Sequence, residues 1–136
     1  MNRTFYNYLI LGLVFIISSL IFIACSSESK HSPNDQSDGK VSIPDFDQEL
    51  KKNNTPQLID VRTPEEFAKG HLEGAKNINF NAANFDAQIT QLDKNKPVFI
   101  YCHSGGRSGK AYKKMKAHGF TTVYDMKGGY SAYSKK

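Results

Sequence analysis

The chain has 136 residues, 39% of them hydrophobic and 23% charged, with 10 Gly, 5 Pro, 2 Cys and no Trp. That length allows one ordinary domain with a core but not two, and 7 Tyr with 9 Phe exclude a wholly disordered chain. The net charge of +5 is spread along the sequence without a finger, RNP or basic-helix motif, so it reads as solubility or membrane-surface charge and no nucleic-acid partner is expected.

Met1 to Tyr8 carry one positive charge, at Arg3, and Leu9 to Ala24 form an uncharged, mostly apolar run of sixteen residues. A helix needs roughly 20 apolar residues to cross a bilayer, so the run fits the apolar core of a secretory signal better than a membrane span. It ends in Phe22-Ile23-Ala24-Cys25, which resembles the lipobox of bacterial lipoproteins, with Phe22 standing where that pattern usually has Leu. The resemblance implies that residues 1–24 are removed and that Cys25 is lipidated and becomes the N-terminus. The protein would then be membrane-anchored and extracytoplasmic, on the periplasmic or cell-surface side. An uncleaved signal anchor is the alternative, and it puts the remainder on the same side. Acyl chains hold a protein by about 0.8 kcal/mol per buried methylene, and one chain holds only marginally. Ser26 to Lys40 are rich in Ser, Asp, Asn, Pro and Gly, composition suited to a flexible tether. The expected organisation is therefore 1–24 signal peptide, 25–40 lipidated Cys and tether, and 41–136 globular domain.

From Val41 the pattern alternates. Short strands are predicted at Val41–Ile43, Gln57–Val61, Ala75–Ile78, Val98–Tyr101 and Val123–Met126. Helices are predicted at Asp45–Lys52, from Thr63 to Gly70, at Ala83–Leu92, at Arg107–His118 and at Tyr130–Lys135. Thr63-Pro64-Glu65-Glu66 has the residues of a capping box with proline in the first turn, and Gly119 stops the Arg107 helix. Ala111, Tyr112 and Met115 face inward on that helix; Lys110, Lys113, Lys114 and Lys116 face outward as a solvated face, or as a docking surface for anionic headgroups or an acidic redox partner. Strands alternating with helices through short turns predict an α/β fold, three layers deep, with a central parallel sheet of five strands. Ligands of such sheets bind beyond the carboxyl ends of the strands.

Cys102 stands at such an end, directly before His103-Ser104-Gly105-Gly106-Arg107-Ser108. First-turn amides of a helix lack internal partners, the helix dipole adds positive potential, and two glycines let the backbone curl into a concave nest of N–H groups. A thiolate at the mouth of that nest is favoured over the thiol. Bringing a free cysteine from about 8.5 to about 6.5 requires roughly 2.7 kcal/mol. A helix terminus supplies up to about 2 kcal/mol and each charge-assisted hydrogen bond roughly 1.5–3, so no general base is needed. The bland reading of Cys102 is a small buried hydrophobe. Asp60 and Arg62 also sit at a strand end and either shape a pocket or form a buried ion pair or turn. His71 is read as a loop-bonding histidine rather than a proton carrier.

Three segments together resemble the rhodanese-like domains. They are Cys102 to Ser108, similar to an active-site loop of the form C-x-x-G-x-R-S/T; Asp60-Val61-Arg62-Thr63-Pro64-Glu65-Glu66-Phe67 through Gly70-His71-Leu72-Glu73-Gly74-Ala75-Lys76-Asn77-Ile78; and Val123 to Tyr133 around Gly128-Gly129. The resemblance implies a rhodanese-like fold and a sulfurtransferase with no metal or organic cofactor. Cys102 would take the sulfane sulfur of a small anionic donor, thiosulfate or a persulfide, and pass it to a thiol or cyanide. The amides of His103, Ser104, Gly105, Gly106 and Arg107 would hold the anion, with Ser108 beside them, and Arg107, with His103, would attract the donor. Two alternatives stand beside this reading. One is a non-catalytic module that carries sulfane sulfur for a redox or sulfur-carrier protein. The other is a cysteine phosphatase or arsenate reductase of similar fold, whose cradle has five residues between Cys and Arg where this chain has four, between Cys102 and Arg107.

Overall fold

The computed structural model describes residues 38–136. The signal segment, Cys25 and the tether through residue 37 lie outside the described residues. Among the described residues five strands, β1 (Gly39–Val41), β2 (Gln57–Asp60), β3 (Lys76–Asn77), β4 (Val98–Tyr101) and β5 (Val123–Met126), alternate with five helices: α1 (Ile43–Lys52), α2 (Pro64–Ala68), α3 (Phe85–Ile89), α4 (Gly106–Ala117) and α5 (Gly129–Tyr133). The strands pair in the order β1-β5-β4-β2-β3, and every pairing is parallel. The fold is the expected three-layer α/β arrangement.

β4 lies at the centre of the sheet and all four of its side chains are buried. Successive strand residues point to opposite faces, and the two cores follow from that alternation. Val98 and Ile100 join Ile59, Val61, Ala111, Met115 and Val123 beneath α3 and α4. Phe99 and Tyr101 join Phe46, Leu58, Tyr124 and Met126 beneath α1, with Tyr130 and Tyr133 of α5 packed against them. Each large apolar side chain so buried stabilises the domain by about 1.5–3 kcal/mol over leaving it in water. Cys102 continues the alternation of Val98 and Ile100 and lands in the α4-side core.

The first strand departs from expectation. β1 runs Gly39–Val41 rather than 41–43, so Gly39 and Lys40, expected in the tether, belong to the sheet and pair with Tyr124 and Asp125. An edge strand is held by backbone groups along one side and needs few apolar residues, which made Gly-Lys look like spacer. Asp38 anchors it: its Oδ1 accepts the Val123 N–H at 2.7 Å and its Oδ2 pairs with Lys116 at 2.7 Å. Ser42 and Ile43, expected as strand, instead cap and open α1, the Ser42 hydroxyl accepting the Asp45 N–H at 3.3 Å. α3 is shorter than the predicted Ala83–Leu92. α2 carries the full capping box between Thr63 and Glu66.

Candidate active site

β4 ends at Tyr101, and Cys102 starts the turn that α4 closes. Gly105 is the N-cap of α4, at φ +100°, a left-handed conformation open to glycine without strain. That geometry turns the Gly105 N–H onto Cys102 Sγ, 3.1 Å away. The sulfur is buried, with Cys102 only 1% exposed. Burial pushes its pKa up, but the Ser108 hydroxyl and the amides of Ser108, Gly105 and Ser104 outweigh it, and the thiol ionises below its ordinary value.

A second element holds the turn in shape. Tyr130 N–H donates to the Cys102 carbonyl at 2.8 Å and Ser131 N–H to the His103 carbonyl at 2.9 Å. Because a trans peptide sets its N–H opposite its C=O, fixing these carbonyls toward α5 turns the amides of His103 and Ser104 away from α5, and that of Ser104 acts on the sulfur. This contact requires Gly129, which sits at φ +59°; a Cβ there would come within 2.4 Å of the Cys102 carbonyl oxygen. In the sequence Gly128-Gly129 stands only as part of the segment that resembles the family, and that Gly-Gly was the available signal of this contact.

Arg107 is already engaged. Its Nη1 and Nη2 donate to Glu66 Oε2 and Oε1 at 2.5 and 2.8 Å. The pair holds the Glu66 carboxyl down at about 2, against some burial and with help from the Thr63 N–H. The charge expected to draw an anionic donor is therefore shared with Glu66, which sequence reasoning had assigned to capping alone.

Asp60 and Arg62 resolve into the ion-pair reading with a pocket role attached. Arg62 Nη2 meets Asp60 Oδ2 at 2.7 Å and the Gly70 carbonyl at 2.6 Å, and the guanidinium lies over the Tyr130 ring, 4.1 Å from its centroid. Arg62 also forms part of the wall of a cleft of about 320 Å³ with Glu66, Lys69, His103, Tyr130 and Lys135. Asp60 stands behind it as its buried partner. His103 and Ser104 are exposed on the turn, and Gly106 opens α4. His71 bonds the Phe67 carbonyl through Nδ1 at 3.0 Å. Lys114 and Lys116 are tied to Asp86 and Asp38.

The sequence model of the rhodanese-like domain matches residues 42–136. The chain belongs to the rhodanese-like domain family. This rhodanese-like domain is 39% identical over 80 residues to the uncharacterized protein YqhL of Bacillus subtilis, covering 59% of this chain and 62% of that one. It is 38% identical over 89 residues to the chloroplastic thiosulfate sulfurtransferase 16 of Arabidopsis thaliana, covering 58% of this chain and 74% of that one. Among solved structures it resembles the human single-domain sulfurtransferase TSTD1, with a TM-score of 0.59 at 26% identity, covering 71% of this chain and 96% of that one. The rhodanese-like domain thus has homologues that carry the sulfurtransferase name.

Proposed function

We propose that this protein is a sulfurtransferase that moves a sulfane sulfur from thiosulfate or a persulfide to a thiol or cyanide through a persulfide on Cys102. The observation that carries the reading is the buried Cys102 sulfur receiving the Gly105 N–H at the mouth of α4. The Cys102 thiolate attacks the outer sulfur of the donor, and that sulfur's bond breaks with its electron pair leaving on sulfite or on the donor thiolate. Cys102 then carries the sulfur as an anionic persulfide, stabilised by the same amides and by the helix dipole. The acceptor attacks the outer sulfur and the electron pair returns to the Cys102 thiolate, closing a two-step covalent cycle.

Thiosulfate with cyanide is expected to give thiocyanate with ping-pong kinetics, and thiosulfate alone to add the mass of one sulfur atom. Loading without turnover favours a sulfur-carrying module, and hydrolysis of an aryl phosphate without thiocyanate favours a phosphatase. The N-terminal run and Cys25 support a lipid-anchored, extracytoplasmic placement as part of the same proposal. A radioactive fatty acid is expected to label the wild-type chain and not Cys25→Ala; label that persists on the variant overturns the anchor.

A further inference from the structure

Asp125 is a buried acid that the sulfur-transfer cycle leaves unused. Among the described residues, three buried side-chain polar atoms have no hydrogen-bond partner: Tyr124 Oη, Ser108 Oγ and Asp125 Oδ1. The last two share the face that holds the nucleophile. Tyr124 and Met126 of β5 point into the α1-side core and Val123 into the α4-side core, so the strand alternation sends Asp125 toward α4 with Cys102. Asp125 is 2% exposed, and its Oδ2 lies 3.7 Å from where a Cβ on Gly109 would stand, under the first turn of α4. Ser108, on that turn, is wholly buried. Its hydroxyl reaches toward both groups, drawing the sulfur and the carboxyl each down in pKa while completing a full hydrogen bond with neither.

A hydroxyl has one hydrogen to give. If Asp125 is neutral, its own O–H can occupy the Ser108 lone pair, and the Ser108 hydrogen is free for the sulfur. If Asp125 is ionised, it takes that hydrogen and turns a lone pair toward the sulfur. We infer that Asp125 is a positioning residue that, through the Ser108 hydroxyl, decides whether the Cys102 sulfur receives a hydrogen or a lone pair. Two anions in one poorly solvated pocket disfavour each other, so ionisation of either group holds the proton on the other. Burial raises the pKa of Asp125 more than Ser108 and Lys40 lower it, which brings its ionisation up toward that of the lowered Cys102 thiol. Lys40 of β1 faces Asp125, and Arg107 of α4 acts on the charge of Cys102, which lies on the same face of the sheet. Lys40 pairs with Asp125 in register, and its Nζ stands 3.7 Å from a Cβ position on Gly105.

The inference rests on the reading of Cys102 as the sulfur-transferring nucleophile, but its test needs no sulfur donor, so the two can fail separately. The rate of Cys102 alkylation by iodoacetamide is measured against pH in the full chain, alongside ultraviolet thiolate absorbance, with Cys25 distinguished by peptide mass mapping. Asp125→Asn keeps a donor to Ser108 and cannot ionise. It is expected to lower the pH midpoint of Cys102 alkylation by about one unit, a tenfold gain in thiolate below the midpoint. Ser108→Ala is expected to erase most of that difference. An unchanged midpoint in Asp125→Asn overturns the inference, as does a shift that survives Ser108→Ala in full, which would mean bare charge without the hydroxyl. If Asp125→Asn does not fold, carbon NMR of the wild-type Asp125 carboxyl decides: ionisation in step with Cys102 supports the inference, and ionisation in the ordinary aspartate range overturns it.

Discussion

Cys102→Ser is expected to reduce thiocyanate formation by roughly 10⁴-fold or more, the scale on which removal of a covalent nucleophile acts, and to abolish sulfur loading seen by mass. The reason is ionisation, since the thiolate is the attacking species and a serine hydroxyl at the same place does not ionise near neutral pH. The fold gives little cause for collateral damage. The Gly105 N–H that points at the sulfur keeps an acceptor in the serine oxygen, so stability is expected to change by no more than about 1 kcal/mol. Thermal melting of both proteins checks that half of the expectation. Activity surviving in a folded Cys102→Ser chain would remove the covalent cycle, because the chain's one other thiol, Cys25, is the proposed lipid site.

What could be read from residues alone follows a physical division. β4 was legible because a fully buried strand must be continuously apolar, and Val98-Phe99-Ile100-Tyr101 is. α2 was legible because its cap is written in adjacent residues, Thr63, Pro64 and Glu66. The turn after β4 was legible because Cys102, Gly105 and Gly106 are local to one another. The missed features join residues far apart. Arg107 and Glu66 are 41 positions apart, and Glu66 already had a sufficient local explanation in its cap. Gly129 presses on the Cys102 turn only once β5 lies beside β4. Asp125, in Val123-Tyr124-Asp125-Met126, looks like a solvent-facing strand residue. It is buried because α4, whose Gly109 lies against its carboxylate, covers the face of β5 to which it points. That packing joins residues 16 positions apart, and Lys40, its in-register neighbour on β1, stands in a segment that looked like tether.

The ion pair behind the cleft carries the largest expected effect on stability. Asp60 is wholly buried and Arg62 is 3% exposed. The carboxylate accepts Arg62 Nε at 2.9 and 3.0 Å, Nη2 at 2.7 Å and the Arg62 backbone N–H at 2.9 Å. Asn77 Nδ2 ties the Asp60 and Arg62 carbonyls together at 3.0 and 2.9 Å. Removing one charge from such a pair leaves the other buried without compensation, at a cost of about 3–5 kcal/mol. Arg62→Met, which keeps apolar bulk near Tyr130 but drops the charge, is expected to lose that amount in a denaturant titration. For a domain of roughly 100 residues this is a melting point lower by more than about 12 °C. Replacing both partners separates the isolated-charge penalty from the worth of the pair. Asp60→Asn with Arg62→Met should be closer to wild type than Arg62→Met alone, because a neutral amide tolerates burial that a lone carboxylate does not. Additive losses in that double variant would show that the two residues stabilise the domain independently, Arg62 through the Gly70 carbonyl and Tyr130 and Asp60 through its backbone contact. In the additive case the cleft wall would owe its position to those neighbours rather than to the buried charge.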